Sequence, residues 1–128
     1  MQKKFIGIAA LLGAVAVALG AFAAHGLKEV FDESLLQTFE TAVRYQFYHV
    51  FALLAVGLLY AHYPSKMLRN AGYLFITGIV LFSGSLYLLC FSKYHGMGMS
   101  WLGLVTPFGG LCFIIGWVCI FLAIRKAA

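Results

Sequence analysis

Residues 5–24 of this chain contain no charged side chain, and the stretches 50–61, 70–91 and 101–124 are likewise free of Asp, Glu, Lys and Arg. A run of about 20 apolar residues, each rising about 1.5 Å as helix, crosses a hydrocarbon layer of about 30 Å. Inside that layer only a helix or a closed barrel satisfies its own backbone. The sequence therefore predicts an all-α membrane protein, a four-transmembrane-helix bundle. Its helices are expected at about 4–24, 35–62, 70–91 and 101–124, within one integral membrane domain covering 1–128. Composition agrees, because a chain that is 63% hydrophobic and 10% charged cannot cover the large relative surface of a small soluble body. Lys3, Lys4 and the small-residue triplet Ala21-Phe22-Ala23 have the outline of a signal peptide. The apolar run is longer than such a peptide needs, and it is read as a retained first span.

The net charge of +5 does not point to nucleic acid, since the nine Lys and Arg fall in ones and twos at segment ends. There they face lipid headgroups and set orientation. Lys3, Lys4, Lys66, Arg69, Arg125 and Lys126 lie on one side of the expected topology, and only Lys28 and Lys93 on the other. The excess places both termini and the connection between helices 2 and 3 in the cytoplasm of a cell with an inner (plasma) membrane. Cys90, Cys112 and Cys119 sit in apolar runs with no paired spacing and read as small hydrophobes.

Helix 2 is the informative element, because it starts polar and ends as lipid-phase sequence. Glu33, Gln37, Glu40 and Arg44 recur at i, i+4, i+7 and i+11, so they share one face. Glu40 and Arg44 form an acid-to-base step of one turn, and Tyr45, Gln46 and His49 follow on an adjoining face. Ionisable groups at membrane depth ordinarily face the protein interior or water and mark functional sites. The candidate ligand-binding cluster is therefore Glu40, Arg44, Tyr45, Gln46 and His49, with His25 at the end of helix 1. A structural reading stands beside it, in which Glu40 and Arg44 neutralise each other or reach headgroups.

Other features concern packing. Gly13 and Gly20 belong to a stripe of small residues on helix 1, and Ser83-Gly84-Ser85 offers close approach with hydroxyls to bond across it. Gly26 is expected to cap helix 1, and residues 25–38 to form a polar connection. Pro107, with Gly109 and Gly110, is expected to break helix 4 early, either as a kink or as an exposed ion-binding backbone. His25, His95, Met97 and Met99 offer imidazole and thioether groups that suit Cu(I), yet they show no fixed ligand spacing. No cofactor is expected. No nucleophile–base pair, phosphate-cradling loop or catalytic carboxylate pair is present, so the chain does not read as an enzyme.

Four blocks carry a resemblance. Gly20-Ala21-Phe22-Ala23-Ala24-His25-Gly26-Leu27-Lys28, then Arg44-Tyr45-Gln46 with His49, then Leu81-Phe82-Ser83-Gly84-Ser85-Leu86-Tyr87, then Thr106-Pro107-Phe108-Gly109-Gly110 with Gly116-Trp117 occur in that order. The chain resembles the small four-span family known as domain of unknown function 423, which includes bacterial inner-membrane proteins and a eukaryotic protein of similar size. Ala23 stands where the pattern often has glycine, a small-for-small change. The resemblance implies four spans and, in bacteria, the plasma membrane; it implies no activity. The expected function is a structural or accessory bundle that binds membrane lipids, a second copy of itself or another membrane protein through helix 2. An oligomeric transport or channel element and a metal-binding membrane protein are the alternatives.

Overall fold

The chain doubles back on itself three times through short connections, which forces successive helices to lie antiparallel. The structure, a computed structural model, describes residues 1–127. Among the described residues four helices are long and apolar enough to cross a membrane: α1 (Gln2–Val30), α2 (Glu33–His62), α3 (Lys66–Tyr94) and α4 (Leu102–Ala127). The chain is an all-α membrane protein built on these four spans.

The first helix runs further than expected. Gly26 does not cap α1; the helix widens into an i→i+5 turn over Ala23–Leu27 and continues to Val30. The cause is packing. The wide turn keeps Ala23 and Leu27 buried, and with Phe31 they join Phe39, Val43 and Cys90 in a core around the start of α2. Phe31 then turns extended, and Asp32 caps α2 by accepting the Leu35 N–H at 2.8 Å. The polar connection expected over 25–38 thus shrinks to Phe31 and Asp32.

The third helix is also longer than its uncharged run. Ser65 accepts the Leu68 N–H at 3.2 Å, so Lys66 and Arg69 occupy the first turns of α3 rather than a loop. An i→i+5 turn over Ile79–Gly84 divides α3 into two α-helical halves, Lys66–Gly78 and Ser85–Tyr94. The following connection turns at Gly96 and Gly98, both at positive φ, a region that favours residues without a Cβ.

The fourth helix is not broken early. Pro107 lies inside α4, which runs through it without interruption. Proline there removes a single backbone donor close to the helix start, and the Thr106 hydroxyl reaches the Leu102 carbonyl at 3.5 Å.

Helices pack chiefly against their chain neighbours, with α2 seated between α1 and α3, and α4 against α3. α2 is the most buried of the four and α1 the least. A second core, around the C-terminal half of α2, joins Phe5 and Ala9 of α1, Val50, Leu53 and Val56 of α2, Phe75 and Ile79 of α3 and Phe113 of α4. Lipid tails are as apolar as these side chains, so the hydrophobic effect does not hold the helices together. Close fit does. Gly109 of α4 lies directly on the α3 backbone at Leu81 and Phe82, where any Cβ would collide.

Candidate functional site

Four polar locks join the helices, and they start from residues that a lipid-phase helix cannot leave exposed cheaply. Gln46, 2% exposed, sits between three helices. Its Nε2 donates to the Leu12 carbonyl of α1 at 2.8 Å, and its Oε1 accepts the Tyr87 hydroxyl of α3 at 2.6 Å. Ser83 donates its hydroxyl to the Ala42 carbonyl of α2 at 2.7 Å. Ser85 shares a hydrogen bond of 2.6 Å with Thr106 of α4. Such interhelical bonds contribute roughly 0.6 kcal/mol on average and up to about 2 each in a membrane bundle.

His49 is the fourth lock, and its chemistry is closed. Its Nδ1 lies 2.7 Å from the Tyr45 carbonyl one turn back, and Trp117 of α4 donates its indole N–H to Nε2 at 3.2 Å. A carbonyl only accepts and an indole N–H only donates, so the network assigns the neutral ring with its proton on Nδ1. The ring stacks on Phe113 with centroids 3.5 Å apart and planes within 4°. Both nitrogens are engaged, leaving His49 no free lone pair for a metal or a proton relay in this arrangement.

Glu40 and Arg44 do not join these residues. The expectation of one inward cluster is corrected: Gln46 and His49 are buried, whereas Glu40 and Arg44 are exposed on the outer strip of α2 together with Glu33 and Gln37. A helix that turns about 100° per residue cannot send positions 40, 44, 46 and 49 to one side. Arg44 does not bond Glu40 either; its Nη2 donates to the Thr41 hydroxyl at 3.2 Å, pointing back toward the helix start. A small groove of about 240 Å³ lies here, lined by Gly20, Glu40, Val43 and Arg44.

Tyr45 belongs to a different surface. With Tyr48, His49, Gly110, Phe113, Ile114 and Trp117 it lines a groove of about 510 Å³ between α2 and α4. The walls are aromatic and the buried His49 forms part of the floor, so the groove is suited to apolar contents.

The remaining candidates are dispersed. His25 is exposed on the wide turn of α1, and His95 and Met97 are exposed after α3, with Met99 half-buried. Among the described residues no group of three or more His, Cys, Asp or Glu is placed to hold a metal ion. Gly13 and Gly20 approach Val50 and Val43 of α2, each at ordinary contact distance of 3.4 Å for an added Cβ. Gly84 has open space, its nearest neighbour being the Ile79 carbonyl at 4.0 Å. Gly110 lies 3.9 Å from the Phe82 ring by the same measure.

Tyr87 and Trp117 were not singled out from the sequence as site residues. A signal existed, since tyrosine and tryptophan ordinarily sit at the membrane interfaces with their polar ends wet. Placed in the interior of their spans, each needs an internal acceptor.

Comparison with known proteins agrees with this architecture. Residues 19–110 match the family model described as a protein of unknown function, DUF423. A UPF0382 membrane protein of Staphylococcus aureus is 41% identical over 127 residues, covering 99% of both chains. The UPF0382 membrane protein YwdK of Bacillus subtilis is 42% identical over 126 residues, covering 98% of both. A relative from Schizosaccharomyces pombe, also named a UPF0382 membrane protein, is 44% identical over 112 residues, 86% of this chain and 92% of that one. No solved structure matches. Four apolar spans, small-residue contacts and interhelical polar locks are thus the setting of a multi-pass membrane protein that belongs to the DUF423 family.

Proposed function

We propose that this protein is an accessory membrane bundle that engages a membrane-resident partner through the outer strip of α2, and that it is neither an enzyme nor a metal carrier. The observation that carries the reading is the division of polar groups along that helix. Those facing inward, Gln46 and His49, are consumed by bonds to α1, α3 and α4. Those facing outward, Glu40 and Arg44, are left for something outside the protein. Arg44 lies eleven residues beyond the start of α2, about 16 Å along its axis. A cation held there against lipid is unfavourable by about 2.5–3.5 kcal/mol at full depth, less where the side chain snorkels. A partner supplying an opposite charge removes that cost. In this reading both termini face the cytoplasm, supported by the cation excess at residues 3, 4, 66, 69, 125 and 126.

The test is purification of the full chain from its membrane in a mild detergent, with mass analysis of whatever remains bound. A protein or lipid retained by the wild type and lost from Arg44→Ala is the expected result. A bare monomer in both cases overturns the reading. In liposomes, vesicles carrying the protein are expected to be no leakier to small ions than empty ones; a flux abolished by Arg44→Ala would instead support a conduit.

A further inference from the structure

We propose that the groove between α2 and α4 binds a lipid-phase quinone, a flat ring carrying oxygen atoms on a long hydrocarbon tail. The inference goes beyond the accessory-bundle reading and does not rest on it, since neither Glu40 nor Arg44 lines this groove. The site holds the ring and performs no redox step.

Depth is the first support. Gly13 and Gly20 of α1 lie against Val50 and Val43 of α2, an antiparallel register in which each step up one helix is a step down the other. The middle of the uncharged run 5–24 therefore falls level with residues 48 and 49. Phe113, which stacks on His49, is likewise central in the uncharged run 101–124 of α4. The groove thus opens near the middle of the hydrocarbon layer. Tyrosine ordinarily keeps to the membrane interfaces, where its hydroxyl is wet. Tyr45 and Tyr48 are instead 39% and 54% exposed at the central depth.

The fate of the polar groups is the second support. The lining side chains offer two hydroxyls, two imidazole nitrogens and one indole N–H. His49 and Trp117 spend the last three inside the protein, on the Tyr45 carbonyl and on each other. The hydroxyls of Tyr45 and Tyr48 have no protein partner among the described residues. An acyl chain filling the groove leaves both unpaired, which is unfavourable in hydrocarbon. The phosphate and ester oxygens of ordinary lipids stay at the interface, about 15 Å away. The occupant that satisfies the site must carry its own oxygen atoms into the middle of the layer. A prenylated quinone does so, and its ring matches the aromatic walls.

Size is the third support. The groove of about 510 Å³ falls within the roughly 300–1,000 Å³ typical of small-molecule sites. On α4 its lining runs from Gly110 to Trp117, about 10 Å along the axis. That suits a ring and the first part of a tail, and is short for the flank of a second spanning helix.

Tryptophan emission tests the site, because quinones quench it on contact. The chain has two tryptophans, and Trp101→Phe leaves Trp117 as the reporter. Full-length protein in mild detergent is titrated with a benzoquinone bearing a ten-carbon tail, and with a ten-carbon alkylbenzene as competitor. Quenching of Trp117 is expected to saturate, and the alkylbenzene to compete about tenfold less well than the quinone's own unlabelled quinol form. Tyr45→Phe/Tyr48→Phe is expected to raise the half-saturating concentration about tenfold while melting at the wild-type temperature without quinone. Gly110→Leu, at a position where a Cβ meets only the Phe82 ring at 3.9 Å, is expected to fill the groove and abolish the saturable part. Quenching that rises linearly, and equally for Trp101 in a Trp117→Phe protein, overturns the site. Equal competition by the alkylbenzene, or unchanged binding in the double tyrosine variant, overturns it in favour of a slot for acyl chains. Trp117 inaccessible to the quinone only while another membrane protein remains bound assigns the groove to that protein and overturns the proposal as well. Each of these failures leaves the outer strip of α2, and the accessory reading built on it, to its own test.

Discussion

Trp117 of α4 donates its indole N–H to the Nε2 of His49 on α2, 3.2 Å away, and the two rings meet edge to face. The bond ties together the two walls of the larger groove. Trp117→Phe is expected to leave the imidazole nitrogen without its donor and to lower stability by about 1–2 kcal/mol, the usual consequence of orphaning one partner of an enclosed hydrogen bond. The double variant His49→Phe/Trp117→Phe is expected to lose less than the sum of the two single changes. Unfolding in mixed detergent micelles, followed by circular dichroism, measures all three. Additive losses would show that the bond is incidental.

Gln46 holds α1 through its amide nitrogen and α3 through its oxygen, so its two ends report separately. Tyr87→Phe removes the α3 bond alone and is expected to reduce stability by about 0.5–1.5 kcal/mol. Gln46→Leu releases both helices and is expected to be worse than Tyr87→Phe in the same micelle assay. Adding Tyr87→Phe to Gln46→Leu should then partly offset the loss, since the stranded hydroxyl is removed.

Gly109 and Gly110 are adjacent in sequence and unequal in consequence. A methyl group on Gly109 would lie 2.8 Å from the Leu81 carbonyl carbon and nearer still to the Phe82 amide, both rigid backbone. Gly109→Ala is expected to push α4 off α3 at a cost of about 1–3 kcal/mol. Gly110→Ala meets only the Phe82 ring at 3.9 Å and is expected to be tolerated within about 0.5 kcal/mol. Melting of each purified variant in detergent distinguishes them, and equal behaviour would contradict the α3–α4 contact.

Orientation is testable by labelling. With the three native cysteines replaced by alanine, a cysteine introduced at Ser65 is expected to resist a membrane-impermeant maleimide in intact cells, whereas one at Met97 is expected to react. Reversing that pattern would refute the arrangement drawn from the cation excess.

The spans were legible because uncharged runs near 20 residues have so few alternatives in water or lipid. Their ends were not. Asp32 and Ser65 are ordinary capping residues, but the continuation of α1 past Gly26 depends on Leu27 and Phe31 finding a core supplied by α2 and α3. That contact is remote in sequence. The candidate residues of α2 could be assigned to a helix by spacing, yet not to inside or outside. Arg44 and Gln46 are two residues apart and face opposite environments, and nothing local says which face meets α1. The partners of Gln46 and His49 lie 41 and 68 positions away at Tyr87 and Trp117, a separation that only the packed helices reveal.

The wide turn over Ile79–Gly84 gives α3 one surplus residue midway along its length. Were the same residues wound as ordinary α-helix with none removed, everything after the turn would swing by about 100°. Tyr87 would leave Gln46, Cys90 would rotate out of the core, and Lys66–Gly78 would stay as they are. The azimuths of the two halves of α3 are therefore set independently, and the extra residue is the phase shift that lets one continuous rod present different sides to α2 at its two ends.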